Sequence, residues 1–208
     1  MSRSDGDSAH SKKNYHHGNL REALLDAGLR LLSDSPPATI SLRQLAREAA
    51  VSHAAPYHYF EDKQDLIHAL GVEAMRRFVQ AQKDAARPDL APAERLLAMG
   101  LAYIHYASSH PHAFSLIFDP AYCEPGNPSE DMAPLIAENE ALLGQCTSDA
   151  QAAGVLPPDA DGSAAAAMWA AVHGLAQLVT AGHMPVSVAE PAMRSLLRMP
   201  PAQKRGKR

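Results

Sequence analysis

Apolar residues recur along most of this chain at spacings of three and four, the interval that lines one face of a helix. Leu20, Ala23, Leu24, Ala27, Leu31 and Leu32 form the first such stripe and predict a helix beginning near Asn19. The paired prolines of SDSPPAT end it, since proline cannot continue a helix. Ser41 is a fair N-cap for a short second helix over LRQLAREA. After the break AVS, Ser52 is placed to cap a third helix through Phe60. Asp62 is placed to cap a fourth, with Leu66, Ile67, Leu70, Ala74 and Phe78 as its stripe. The pattern resumes after ARPDLAP with Leu96, Leu97, Met99, Gly100, Tyr103 and Ile104, breaks at His110-Pro111, and runs on through Phe118. The loop DPAYCEPGNPSED precedes a helix over about Met132–Ala153, and GVLPPDADG precedes an apolar, small-residue helix over Ala164–Ala181. A last helix spans about Val188–Met199. Runs of alternating β-branched residues are missing, so the predicted fold is all-α, with about nine helices.

The segment 41–60 reads as one unit. Leu45, Ala46, Ala49 and Val51 fall on an inward face, and Pro56 and Tyr59 on the face that matches it. Ala46 is small enough for two helices to cross closely. Two short helices joined by a tight turn make a helix-turn-helix, whose second helix enters the DNA major groove. Ser52, His53, Ala54, Tyr57 and His58 are left facing outward. Pro56 is tolerated because the first turn of a helix has no internal use for its N–H groups. The chain therefore divides into a tail (1–14), a three-helix head (15–62), a larger helical body (63–199) and a basic tail (200–208).

Charge sharpens that division. The whole chain carries a formal net charge of −4. Residues 1–63 hold eight Lys/Arg against eight Asp/Glu, residues 64–199 hold seven against fifteen, and PAQKRGKR adds four positive charges. A neutral head on an acidic body suits a protein that meets a polyanion through one end. The opening stretch MSRSDGDSAHSKKN has no apolar core, so no signal peptide is expected, and no apolar run is long enough to span a membrane. Two cysteines, Cys123 and Cys146, make no disulfide framework, which favours a reducing, cytoplasmic setting.

The histidines invite a metal reading. Adjacent His16 and His17 would point to different sides of a helix, and His105, His110 and His112 form only a loose cluster. A metal-dependent hydrolase needs three or four convergent ligands, and neither HExxH nor an equivalent occurs. No metal, cofactor or catalytic residue is therefore expected. Aromatic residues and methionine in the body suit an apolar small molecule. Trp169 and His173 lie four apart on one helical face and could line such a cavity with Tyr103, Tyr106, Phe114, Phe118 and Met168; the competing reading is ordinary core packing.

TISLRQLAREAAVSHAAPYHYFEDKQDLI closely resembles the signature of the TetR family of bacterial transcriptional regulators, matching at Thr39, Leu45, Ala46, Val51, Ser52, Tyr57, Tyr59, Phe60, Lys63 and Leu66. YHHGNLREALLDAG and SHAAPY resemble one subgroup, in which a C-terminal Trp–His–Gly element recurs; here it would be AMWAAVHGLAQL, with Trp169, His173 and Gly174. The resemblance implies a homodimer with two DNA-binding heads and a body that responds to a small-molecule effector. It implies DNA contacts by Thr39, Arg43, Gln44, Ser52, His53, Ala54, Tyr57, His58 and Lys63. Tyr57, His58 and Lys63 would hold phosphates, and Gln44, His53 and Ala54 would meet base edges. It also implies that the two last long helices pair across a dimer as a four-helix interface. One departure stands out: the family usually has glycine before Val51, where the turn wants a left-handed backbone, and here the residue is Ala50.

The expected function is a dimeric regulator of transcription, a repressor in preference to an activator, bound to a near-palindromic double-stranded operator and released by a largely apolar ligand. A helical protein-interaction module without DNA binding is the competing reading, with a metal-dependent hydrolase behind it.

Overall fold

A computed structural model describes residues 20–159 and 161–200. Among the described residues there are eight α-helices and no strand: α1 (Leu20–Asp34), α2 (Leu42–Glu48), α3 (Lys63–Ala85), α4 (Pro92–Ser109), α5 (Pro111–Phe118), α6 (Ala133–Ala152), α7 (Ser163–Thr180) and α8 (Ala189–Leu196). Short 3-10 turns cover Pro37–Thr39, Ala55–His58 and Val186–Val188. The expected N-terminal tail with His16 and His17, and the basic tail beyond Pro200, lie outside the described residues.

The head forms around α1. Leu24, Leu25, Ala27 and Leu32 are buried against Ile40, Leu45, Phe60, Leu66 and Leu70. α2 starts where Ser41 Oγ accepts from the Gln44 amide at 3.3 Å and donates to Gln44 Oε1 at 2.8 Å, so cap and third residue hold each other. It ends in a Schellman motif: Ala50 N–H bonds the Arg47 carbonyl (3.1 Å) and Val51 N–H the Ala46 carbonyl (2.9 Å). That pattern requires a left-handed residue at Ala50, and its φ is 54°. α6 and α7 close in the same way with Gly154 and Gly182, whereas α2 does it with alanine.

The expected α-helix from Ser52 to Phe60 is realised differently. It is a turn followed by a single 3-10 turn over Ala55–His58. Ser52 does not cap it; the N-cap is Ala54, without a side-chain bond. Pro56 has no N–H to give, and Tyr57 and Tyr59 bond carbonyls three residues back (3.2 and 3.0 Å). The segment is too short to gain more before Asp62 caps α3 through the Asp65 amide (2.9 Å).

α3 joins the two halves of the molecule. Its first turns put Leu66, Ile67, Ala69 and Leu70 into the head cluster, and its later turns put Val72, Met75, Phe78 and Val79 into the body cluster. Phe78 is the hub of the body, with ring centroids 4.7 Å from Tyr103, 5.4 Å from Tyr106 and 5.7 Å from Phe118, all edge-on. Such geometry adds about 1 kcal/mol per pair beyond burial. Buried Gln82 is satisfied by the Phe78 carbonyl (3.3 Å) and Asn139 Oδ1 (2.9 Å). Arg95 ties α4 to α6, donating to Asp149 (2.7 Å) and to the Ala86 carbonyl (3.0 Å). α7 buries only Met168, Val172 and Ala176, one residue per turn, and leaves Ala167, Ala170, Gly174 and Leu178 exposed.

Candidate nucleic-acid interface and body cavity

The predicted inward set of the head is buried or half-buried: Leu45, Ala46 and Pro56 fully, Ala49, Val51 and Tyr59 in part. The outward set, Ser52, His53, Ala54, Tyr57 and His58, is exposed throughout, and Tyr57 keeps 55% of its surface in solvent. A short turn therefore presents two histidines and a tyrosine on one side, with proline anchoring the other.

Two further elements border this turn. Lys63, the first residue of α3, donates its ammonium to the Ala38 carbonyl, and Thr39 Oγ1 donates to the Pro36 carbonyl at 2.8 Å. Lys63 and Thr39 are thereby brought to the same 3-10 turn although 24 residues separate them in sequence (63 − 39). Exposed Arg43 lies on α2, and half-buried Gln44 is occupied by Ser41. Arg47, exposed and four residues from Arg43, shares its helical face. Sequence reasoning had passed over Arg47, although the i, i+4 spacing was there to be read.

The body holds a cavity of about 680 Å³. Its wall comprises the end of α5 (Ile117, Phe118), the connection to α6 (Cys123, Glu124, Pro125), α6 itself (Ile136, Asn139, Glu140, Leu143) and α7 (Ala165, Ala166, Trp169, His173), with Met75 and Met132. Phe118, Trp169 and His173 were expected there. Tyr103 and Met168 line a smaller hollow of about 20 Å³, which shares Trp169, Asn139 and Leu143 with the main cavity. Phe114 sits behind His173, with ring centroids 5.9 Å apart. Tyr106 lies elsewhere in the core, its hydroxyl donating to the Ala74 carbonyl at 2.9 Å.

The α6 wall went unread in the sequence. Its signal was the pair of apolar doublets Leu135-Ile136 and Leu142-Leu143, seven residues apart and so on one helical face. All four are only half-buried, and two of them, Ile136 and Leu143, line the cavity.

His173 is the polar centre of this wall. Its Nδ1 lies 2.7 Å from the Tyr103 hydroxyl, and its Nε2 lies 3.3 Å from the Gln177 amide nitrogen. Burial pushes the Tyr103 phenol far above its usual range, partly opposed by the Trp169 side chain, and burial lowers the His173 pKa. Burial thus favours the uncharged form of both rings, and the Tyr103 hydroxyl and His173 Nδ1 share one hydrogen bond whose direction follows the imidazole tautomer. Cys146 is buried at the α6–body contact, where desolvation raises its thiol pKa. Among the described residues no three His, Cys, Asp or Glu side chains converge as a metal site, and no helix is long and apolar enough to cross a membrane.

A helical head with an exposed polar turn, joined through one long helix to a hollow helical body, defines a helix-turn-helix regulator. Residues 24–70 match the family described as bacterial regulatory proteins, tetR family, and residues 96–199 match the tetracyclin repressor-like C-terminal domain. The chain belongs to the TetR family of DNA-binding transcriptional regulators. It is 32% identical to a protein with unknown function from Rhodococcus sp. RHA1, with a TM-score of 0.75 over 90% of this chain and 98% of that one. It is also 32% identical to the HTH-type transcriptional regulator BetI of Rhizobium meliloti (strain 1021), over 79 residues. That match spans 38% of this chain and 39% of BetI, so it concerns less than half of either protein. The transcriptional regulator FadR from Bacillus subtilis, solved with stearoyl-CoA, shares the fold at 14% identity and a TM-score of 0.64, over 85% of this chain and 97% of that one.

Proposed function

We propose that this chain is a homodimeric repressor that binds a near-palindromic operator in the bacterial cytoplasm and leaves it when a small, largely apolar ligand enters the body cavity. The observation that carries the ligand-responsive part is α5. Leu116 belongs to the head cluster, while the next two residues, Ile117 and Phe118, form cavity wall. A ligand pressing on Phe118 acts on an element that is locked into the core of the head. Packed cores shift between discrete arrangements and do not deform smoothly, so a small push can re-aim a head.

In this reading Tyr57, His58 and Lys63 hold phosphates, and Gln44, His53 and Ala54 meet base edges. Arg43, Thr39 and Ser52 complete the contact surface, and Arg47 joins Arg43 on it. The uncovered α7 face, Ala167, Ala170, Gly174 and Leu178, pairs with its copy in a partner subunit, together with α8. In the same reading Trp169, His173 and Gly174 are the Trp–His–Gly element of that subgroup. FadR from Bacillus subtilis, with its stearoyl-CoA, is an instance of this fold holding a large ligand. No catalytic residue and no cofactor belong to this account.

Footprinting on the DNA upstream of the protein's own gene tests it. A protected, near-palindromic stretch with half-sites about 34–36 Å apart, or a multiple of that, is expected. An unprotected upstream region together with a monomeric chain in sedimentation would overturn it.

A further inference from the structure

We propose that the ligand of the body cavity is an amphiphilic organic cation. Its apolar body lies between α6, α7 and the connection after α5, and its ammonium end lies at the rim beside Glu124 and Glu140. This rests on the reading of the cavity as the effector site.

The charge of the wall carries the inference. Two carboxylates line it, Glu124 and Glu140, and no lysine or arginine does. The nearby Lys83 on α3 is committed to Glu138 at 2.5 Å. His173 adds no positive charge: it is half-buried between the Tyr103 hydroxyl and the Gln177 amide, and burial disfavours its protonated form. Glu124 accepts one bond from Asn127 Nδ2 at 2.9 Å. Glu140 has no ion-pair or hydrogen-bond partner among the described residues. At neutral pH the wall is therefore negative, in a body that is itself acidic. An anionic ligand would enter against that field with nothing to pair with, whereas a cation gains from it. Asn139 adds a neutral contact: its Oδ1 is taken by Gln82, so its Nδ2 is the atom left for an acceptor on the ligand. The rest of the wall is apolar, and a volume of about 680 Å³ holds a drug-sized body.

Trp169 is the chain's single tryptophan and stands in this wall, so its fluorescence reports on the cavity directly. Decyltrimethylammonium, 1-decanol and decyl sulfate share one apolar chain and differ in charge. Each is titrated into the full-length protein below its micelle concentration, followed by Trp169 emission and by calorimetry. The ammonium is expected to bind roughly tenfold tighter than the alcohol, and the sulfate weakest of the three. In the double variant Glu124→Gln/Glu140→Gln, the gap between ammonium and alcohol should shrink to about twofold while the alcohol's own affinity holds. Equal or tighter binding of the sulfate, or a cation preference that survives the double variant, would overturn the proposal and leave the effector site standing. Binding of none of the three, or binding undiminished by Ala166→Phe, which narrows the cavity, would overturn the effector site and the proposal with it.

Discussion

The Tyr103 hydroxyl lies 2.7 Å from His173 Nδ1 and ties α4 to α7 at the edge of the body cavity. Tyr103→Phe removes the hydroxyl and keeps the ring. The variant should lose about 1 kcal/mol of stability, read as a drop of a few degrees in melting temperature. Because burial raises the folded phenol pKa above its ordinary 10.0, the wild-type contribution is fully present below pH 10 and fades as pH rises beyond it. The variant's stability should lack that alkaline loss.

His173 gives the opposite limb. Its folded pKa lies below the ordinary 6.5, so the unfolded chain takes up a proton first as pH falls. The penalty is absent above pH 6.5, grows as pH drops below it, and levels off once the folded imidazole also protonates. Denaturant titrations of the wild type and His173→Phe, run from pH 7.5 down to about 5, should converge toward the acid end. Parallel curves would contradict a buried, neutral imidazole.

Ala50 holds φ = 54°, which costs an alanine on the order of 1 kcal/mol. Ala50→Gly should keep the melting temperature or raise it, with DNA affinity unchanged within about twofold. Ala50→Val should lower stability by about 1–3 kcal/mol, since a β-branched residue tolerates this conformation poorly. A clear destabilisation by glycine would show that the turn does not need the left-handed residue.

Phe78 is fully buried and edge-on to Tyr103, Tyr106 and Phe118, of which Phe118 lines the cavity. Phe78→Ala should cost about 3–5 kcal/mol in denaturant unfolding. A loss below about 1 kcal/mol would mean that the body core repacks freely around the gap.

Lys63 donates to the Ala38 carbonyl in the free protein and stands at the first turn of α3. Lys63→Gln should weaken DNA binding uniformly across sequences and lower the salt slope by about one per head. The melting temperature should move little, because the side chain is exposed.

The periodicity of apolar residues located most helices within a residue or two of where they lie. Ser41 and Asp62 were readable as caps because their chemistry is local, whereas Ala50 was readable as a left-handed position only through the resemblance to a family that has glycine there. The Ser52–Phe60 segment was misread as α-helical: apolar spacing over nine residues does not distinguish an α-helix from a 3-10 turn when a proline removes one of the few available bonds. In the body, Trp169, His173 and Phe118 were legible from their spacing and type. Asn139, Glu140 and Ile136 were not, because their role depends on how far α6 stands from α7, and nothing in either helix alone sets that distance. The junction at Leu116–Phe118 was hidden for the same reason, since one short helix serves two cores.

The most direct test of the account is the affinity of the full-length chain for the DNA upstream of its own gene, measured by fluorescence anisotropy at several salt concentrations. The wild type should bind with an affinity that falls steeply with salt, and Tyr57→Ala/His58→Ala should bind at least about tenfold more weakly with an unchanged melting temperature. Wild-type binding that is absent or indifferent to salt, or a double variant that binds as tightly as the wild type, would contradict it.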